Sequence, residues 1–246
     1  MSQQGPFLFE IRLADEEHDS RQAYNVLYDT TTLSQIESFY RWLMRKLRLP
    51  PHGRLLDVSC GAGEVVRLAG QQGLQAVGVD ISEAAARSAH SHVAGQGAIA
   101  VSSGENLPFS DATFDYVTNI GSLEHFIDPA QGVREMARVL VPGGRAFVLV
   151  PNTFSLLTNV WEAFRHGRTA VDNQPIQRYG ARADWERLLQ TNGLNVRGCI
   201  KYERPFPYHF PDWGFYLRRP KELARLVTAP FVPLNLAFCF LFVCER

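Results

Sequence analysis

The chain has 246 residues, with 25 lysines and arginines against 25 aspartates and glutamates, so its formal net charge is zero. That length fits one α/β domain with a modest appendage and can bury a sizeable core. The charge balance excludes the basic excess that marks nucleic-acid binding, and the four cysteines lack metal-ligand spacing and read as small hydrophobes of a reducing compartment.

Met1 to Asp19 is polar and acidic, so no signal peptide and a cytoplasmic location are expected. Ser34-x-x-Glu37 has the form of a capping box and predicts a helix with Ile36, Phe39, Tyr40, Leu43 and Leu47 on one face. Pro50-Pro51 stops it. Residues 1–49 are therefore expected to form a helical cap over a ligand site, with Tyr24 and Tyr28 either covering the ligand or packing between helices.

The next stretch, Leu55-Leu56-Asp57-Val58-Ser59-Cys60-Gly61-Ala62-Gly63-Glu64, is an apolar strand running into a glycine turn and a helix. Glycines there let backbone approach a ligand closely. A second apolar strand, Val77-Gly78-Val79-Asp80, ends on an acid that can accept both hydroxyls of a ribose. Ser82 caps an alanine-rich helix. Ala98 to Val101 predicts a third strand, which leads into Ser102-Ser103-Gly104-Glu105-Asn106-Leu107-Pro108-Phe109. Phe114-Asp115-Tyr116-Val117 enters a fourth, followed by Leu123-Glu124-His125-Phe126. Asp128-Pro129 caps a helix with a Val133, Met136, Ala137, Leu140 stripe, and Pro142-Gly143-Gly144 turns into a strand from Ala146 to Val150. Alternation of this kind means a parallel sheet, with a nucleoside-containing cofactor at its carboxyl edge.

Two features bear on which cofactor. Gly61-x-Gly63 is followed by Val66 and not by the third glycine of a dinucleotide fingerprint. Asp57 and Glu64 place negative charge beside the turn, which repels a pyrophosphate but not a sulfonium with an ammonium group. S-adenosylmethionine is the cofactor expected.

These motifs, in this order, resemble the class I S-adenosylmethionine-dependent methyltransferases, and within them the ubiquinone/menaquinone biosynthesis (type 11) branch. The resemblance is strong from about Arg54 to Asn152; Leu107-Pro108-Phe109 followed by Phe114-Asp115 is its most branch-specific part. It implies an α/β, Rossmann-like seven-stranded sheet, mostly parallel with an antiparallel last strand, and helices on both faces. It also implies cofactor contacts from Asp57, Ser59, Gly61, Gly63, Asp80, Ile81, Ser103, Gly104, Glu105 and Asn119. Ser59 stands where the family has its first glycine, which requires its backbone to stay extended. Ser103 stands where the family commonly has an aspartate on the adenine amino group; a serine bonds more weakly there.

The sixth strand is expected from Val196 to Tyr202. Leu226 to Val243 approaches the length of a membrane span, but Pro230 and Pro233 interrupt it. It reads as a short helix ending near Thr228 and a buried strand from Leu236 to Val243, with no membrane insertion. The resemblance places that strand antiparallel between the fifth and sixth, an arrangement that dehydrogenase folds lack. Residues 50–246 then form the methyltransferase domain, with lid insertions near 154–180 and 204–220. The second insertion holds Phe206, Tyr208, Phe210, Trp213, Phe215 and Tyr216. Such aromatics at the carboxyl edge suit an apolar or ring-shaped acceptor; packing onto the sheet is the alternative.

Methyl transfer from a sulfonium is an in-line displacement, governed mainly by alignment. A base is needed only when the acceptor must lose a proton, and His125, just beyond the fourth strand, is the candidate; the alternative is that it holds its loop before Asp128. Tyr179, Arg178 and His209 are candidates for substrate contact. Asn119 and Asp128 do not reproduce the metal-binding spacing of catechol-type enzymes, so no metal is expected. The reading is methyl transfer to a small-molecule acceptor, aromatic, sugar or lipid-linked. A nicotinamide-dependent oxidoreductase and a non-catalytic S-adenosylmethionine-binding protein are the alternatives.

Overall fold

The computed structural model describes residues 8–12, 17–30, 35–171 and 174–246. Strand β1 (Leu8–Arg12) and helices α1 (Glu17–Thr30) and α2 (Glu37–Leu47) precede the sheet. Strands β2 (Arg54–Val58), β3 (Gln75–Asp80) and β4 (Ala98–Val101) alternate with helices α3 (Glu64–Gln71) and α4 (Glu83–Val93). Then come β5 (Phe114–Ile120), α5 (Pro129–Val139), β6 (Leu140–Pro151), α6 (Trp161–His166) and β7 (Ile176–Gly180). The remainder is α7 (Arg182–Thr191), β8 (Asn195–Tyr202), α8 (Phe210–Leu217), α9 (Pro220–Thr228) and β9 (Cys239–Glu245).

Seven strands pair in the order β4-β3-β2-β5-β6-β9-β8. All neighbours from β4 to β6 are parallel. Strand β9 runs antiparallel to both β6 and β8, so the inserted antiparallel strand that separates methyltransferase folds from dehydrogenase folds is present. The chain leaves β2 toward β4 on one side and returns through β5 and β6 on the other. That reversal makes the carboxyl ends of β2 and β5 the place for a ligand crevice.

Side-chain alternation divides the core between two faces. Leu56 and Val58 of β2, with Ala146, Val148 and Val150 of β6, join Val133, Met136, Trp185 and Leu188. Leu55, Phe147 and Leu149 join Phe39, Leu43, Leu47, Val65 and Val66 on the other. Strand β9 contributes Phe240, Phe242 and Cys244 to the first cluster and Leu241 to the second, which explains its unbroken apolar sequence. Each such Leu or Phe stabilises the fold by about 1.5–3 kcal/mol.

Several expectations need correction. The last strand begins at Cys239, not Leu236, because Leu234–Leu236 is a 3₁₀ turn. The Asn152 amide fixes that turn by donating to the carbonyls of Asn235 and Ala237 at 3.0 and 2.8 Å. Strand β6 begins at Leu140, before the Pro142-Gly143-Gly144 turn, which the pairing absorbs as a register shift between Phe114 and Tyr116. Of the expected capping box, Ser34 lies outside the described residues; the residue at the cap position of α2 is Ile36, which makes no side-chain cap bond. Nor is the segment before the sheet purely helical. Strand β1 pairs antiparallel with β7, Glu10 opposite Arg178, in a separate two-stranded sheet. Two five-residue strands so far apart in sequence leave no local trace of their pairing. Ser82 does cap α4 by accepting from the Ala85 amide, and Asp128 caps α5 through the Gln131 amide.

Candidate active site

The turn after β2 is built from left-handed residues: φ is +61° at Ser59, +53° at Gly61 and +79° at Gly63. Ser59 is therefore not extended, as expected, but occupies the region its usual glycine would favour. An L residue there costs about 1–2 kcal/mol. The Cys60 amide, bonded to the Val79 carbonyl at 2.9 Å, holds the turn in place. The two glycines divide the work. A Cβ on Gly61 would lie 2.8 Å from the Tyr28 hydroxyl, at the cavity wall. A Cβ on Gly63 would meet Val93 and Ala89 at 2.9 and 3.1 Å. Gly63 thus serves the close approach of α4 and does not line the cavity.

Asp80 is the keystone of the turn. Its two oxygens accept the Gly61 and Ser82 amides, both at 2.9 Å. Burial pushes its carboxyl up, opposed by backbone N–H groups of Ser82, Gly61 and Ile81. Asp57, at the end of β2, accepts the Thr118 hydroxyl at 2.7 Å. Burial drives it up to about 7, against the Thr118 bond and with help from the Asp80 charge. Two buried carboxylates on one cavity wall, lacking a cationic partner in those bonds, are a place for a cation.

The cavity has a volume of about 670 Å³ and runs along the carboxyl edge of the sheet. Asp57, Ser59, Gly61, Asp80, Ile81, Ser103, Gly104 and Glu105 of the expected cofactor residues line it. The Ser103 hydroxyl accepts the Glu105 amide at 3.3 Å. The Glu105 carboxylate in turn accepts the amides of Ile127 and Asp128 at 2.8 and 3.0 Å, so it also ties the loop beyond His125. Asn119 lies beneath the cavity: its amide donates to the Val58 carbonyl and its oxygen accepts the Leu123 amide. It braces β2 against the loop after β5 and is not a lining residue.

Helix α1 lies over the β2–β3 end of the cavity. Asn25 accepts the Ser82 hydroxyl at 2.8 Å and the Ala84 amide at 3.3 Å, anchoring the helix to the start of α4. Tyr24 and Tyr28 both line the cavity. Burial and then the Asp80 charge raise the Tyr28 hydroxyl, keeping it protonated.

His125 lines the cavity too, and its Nδ1 is hydrogen-bonded to the Ile176 carbonyl. A carbonyl only accepts, so Nδ1 carries the proton and the neutral ring keeps its lone pair on Nε2. Glu124 Oε1 stands 3.8 Å from that Nε2. Of the substrate candidates, Tyr179 lines the cavity, and its hydroxyl is bonded to the Gln177 amide. Arg178 does not. Strand alternation turns it to the other face of β7, 2% exposed, where it pairs with Glu10 and donates to the carbonyls of Glu124, Phe126 and Ile127. His209 also lies away from the cavity, with its Nε2 2.7 Å from Glu37 on α2.

The aromatics of 204–220 stay outside as well. Phe206 and Phe210 are 59% and 90% exposed. Asp212, bonded to the Ser38 amide and hydroxyl, docks this segment on α2. Only Arg204 of that stretch reaches the cavity wall, whereas Ser155, Thr158, Asn159, Gln174 and Gln177 of the earlier segment do. Tyr202, Arg225 and Phe238 complete the far side. None of these belongs to a local motif, so the sequence carried no signal for them. Among the described residues no group of His, Cys, Asp and Glu could hold a metal ion, and no helix is long and apolar enough to cross a membrane.

Residues 56–148 match the family described as "Methyltransferase domain". The ubiquinone/menaquinone biosynthesis C-methyltransferase UbiE of Geobacter sulfurreducens is 34% identical over 146 residues, 56% of this chain and 57% of that protein. The 27-O-demethylrifamycin SV methyltransferase of Amycolatopsis mediterranei is 33% identical over 165 residues, 62% of this chain and 58% of that one. The chain thus spans little more than half the length of these curated relatives. An S-adenosylmethionine-dependent methyltransferase from Mesorhizobium loti shares the fold with a TM-score of 0.61 at 16% identity, over 84% of this chain and 97% of its own. Over residues 56–148 the chain thus matches a methyltransferase domain and is similar there to ubiquinone/menaquinone biosynthesis methyltransferases.

Proposed function

We propose that the protein transfers a methyl group from S-adenosylmethionine to a small-molecule acceptor bound in the same cavity. The observation that carries this reading is the pair of buried carboxylates, Asp57 and Asp80, on one wall of a cavity of about 670 Å³. When bound, the cofactor supplies an electrophilic methyl on a sulfonium centre. Asp80 accepts the ribose hydroxyls in this reading, while its oxygens hold the Gly61 and Ser82 amides. Asp57 offers negative charge to the cationic portion, and Ile81 with the backbone of Ser103, Gly104 and Glu105 offers a pocket for the base. Asn119 and Gly63 act at one remove, by bracing the turn and seating α4.

Residues 1–49 supply a cap through α1 and its two tyrosines, and residues 154–180 supply a lid. The 204–220 segment is proposed as support for the cap, because its docking runs through α2. The chain's main contribution to rate is alignment inside this cavity; pre-organisation of that kind contributes up to about 7–11 kcal/mol. His125 Nε2 takes the acceptor's proton when the acceptor is a hydroxyl, and Glu124 favours the imidazolium that results. The relatives named above are a methyltransferase of ubiquinone/menaquinone biosynthesis and a 27-O-demethylrifamycin SV methyltransferase, in keeping with a small-molecule acceptor. The test is release of S-adenosylhomocysteine and formation of a methylated product from an acceptor panel. Tight S-adenosylmethionine binding with no turnover of any acceptor would favour a non-catalytic binding protein.

A further inference from the structure

At the β8 side the cavity changes character. Arg204 follows β8 and Arg225 lies on α9, and both line the wall beside Tyr202 and Phe238. Arg225 is 4% exposed. Its Nη1 donates to both oxygens of Glu222 at 2.9 and 3.1 Å, and its Nη2 is bonded to the Thr158 hydroxyl. Its Nε, equally buried, has no hydrogen-bond partner. Arg204 Nε is bonded to the same Glu222. The two guanidinium groups stand 5.2 and 4.5 Å from the centroid of the Phe238 ring.

The charges do not cancel. Two arginines share one carboxylate, Glu222, which they hold below its ordinary range although burial opposes them. The other ionisable groups packed here are Glu203, Lys201, Tyr202 and Cys239, with Glu124 near enough to act on Cys239. Glu203 accepts the Phe238 amide and is pushed up by burial. Lys201 is spent on the carbonyls of Ala229, Pro230 and Val232. In their direct bonds two guanidinium charges face the single carboxylate of Glu222. A buried guanidinium with an unmatched N–H is costly, and a polar group left so usually awaits a partner. In sheet order β8 stands four places from β2, about 19 Å away at roughly 4.8 Å per strand. One cavity is therefore acidic at its β2–β3 end and basic at its β8 end.

We propose that the methyl acceptor carries an anionic group, a carboxylate or a phosphate monoester, and that Arg204 and Arg225 receive it. The proposal rests on the methyl-transfer reading and names the class of its acceptor. The opposed ends give each ligand one polarity: the cationic part of the cofactor is drawn to Asp57 and Asp80, and the acceptor's anion to the arginines. A reversed fit would set like charges against each other. Phe238, stacked under both guanidiniums, gives the carbon skeleton next to the anion a flat surface.

The probes are benzoate, phenyl phosphate and the neutral benzamide, titrated by calorimetry into the full chain saturated with S-adenosylhomocysteine. At least one anion is expected to bind, and benzamide at least ~10-fold more weakly, as loss of a charge-assisted pair implies. Which anion binds tells carboxylate from phosphate. Arg225→Met should lower that anion's affinity by a similar factor while S-adenosylhomocysteine affinity holds. Glu222→Gln removes the competing carboxylate and should tighten the anion several-fold, whereas a cluster that merely fastens α9 would lose thermal stability and gain no affinity. Equal binding of benzamide and both anions, or no gain from Glu222→Gln in a folded protein, overturns the proposal. Failure of the parent protein to bind S-adenosylhomocysteine overturns the methyl-transfer reading instead.

Discussion

The Tyr28 hydroxyl fills the space that a side chain on Gly61 would need, 2.8 Å from the ideal Cβ position. Cap and turn are thus fitted to each other, and the fit is testable. Gly61→Ala meets that hydroxyl and also a φ of +53°, which costs an L residue about 1–2 kcal/mol. S-adenosylhomocysteine affinity should fall at least ~10-fold while far-UV circular dichroism stays unchanged. Adding Tyr28→Phe moves the nearest ring atom to 3.8 Å, so the double variant should recover part of the loss. No recovery would mean that the cap does not bear on this turn.

Asp80 bonds two backbone amides and faces the cavity. Asp80→Ala should therefore lower both thermal stability and cofactor affinity, each lost bond to the charged group contributing about 1.5–3 kcal/mol. The informative measurement is discrimination between S-adenosylhomocysteine and its 2′- and 3′-deoxy analogues. The parent should discriminate well and the variant poorly. Equal discrimination in both would remove Asp80 from the ribose.

What the sequence revealed, and what it hid, follows from distance along the chain. The strands from Arg54 to Val150 are signalled locally, by apolar runs ending at turns, and the inserted β9 by apolar character on both of its faces. Ser59 misled because its residue type says nothing about φ; the left-handed turn is dictated by the Cys60 bond to Val79, on the neighbouring strand. Arg178 misled because its facing depends on pairing with β1, some 168 residues away in sequence from Glu10 to Arg178. Arg225 gave no sign at all: a lone arginine in an amphipathic helix normally faces water, and here the packing of α9 against Thr158 turns it inward.

Asp57 should leave a signature in pH. Its carboxyl titrates near 7 in the fold against an ordinary 3.8. A pKa raised on folding means the group's stabilising contribution is complete below about pH 4 and is lost as pH rises through 7. Asp57→Asn keeps an acceptor for Thr118 and removes the charge. Its melting temperature relative to the parent should therefore rise between about pH 4 and 7 and level off above that. Binding of cationic S-adenosylmethionine should expel the proton, so affinity should strengthen over the same interval in the parent and stay flat in the variant. Parallel melting curves across that range would remove Asp57 as the titrating group.

Arg178 closes the carbonyls of Glu124, Phe126 and Ile127 under the loop that carries His125. Arg178→Met should leave those acceptors unmatched and lower stability by about 3–5 kcal/mol, the cost of breaking a buried ion-paired network. KM for an acceptor should change far less than the melting temperature. A large KM effect in a protein of parental stability would restore it to the substrate-contacting role.

His125 joins the loop after β5 to β7 through Nδ1 and presents Nε2 beside Glu124. Two roles are therefore open to one ring, and they separate by acceptor and by variant. For a hydroxyl acceptor, the proton must leave near the transition state, and neutral imidazole with its lone pair on Nε2 can take it. His125→Ala should then lower turnover by about 10²-fold or more, and the parent's rate should fall as pH drops and the ring is charged. His125→Asn is the sharper variant, because its amide can still donate to the Ile176 carbonyl while offering no basic nitrogen. It should keep parental stability and S-adenosylhomocysteine affinity yet lose turnover as fully as the alanine variant. If the asparagine variant turns over a hydroxyl acceptor at the parental rate, the histidine is a strut between the loop and β7, and the proton leaves by way of solvent. If it loses turnover only with hydroxyl acceptors and not with a thiolate or neutral amine, the base assignment stands, because only the hydroxyl must give up its proton as its oxygen attacks.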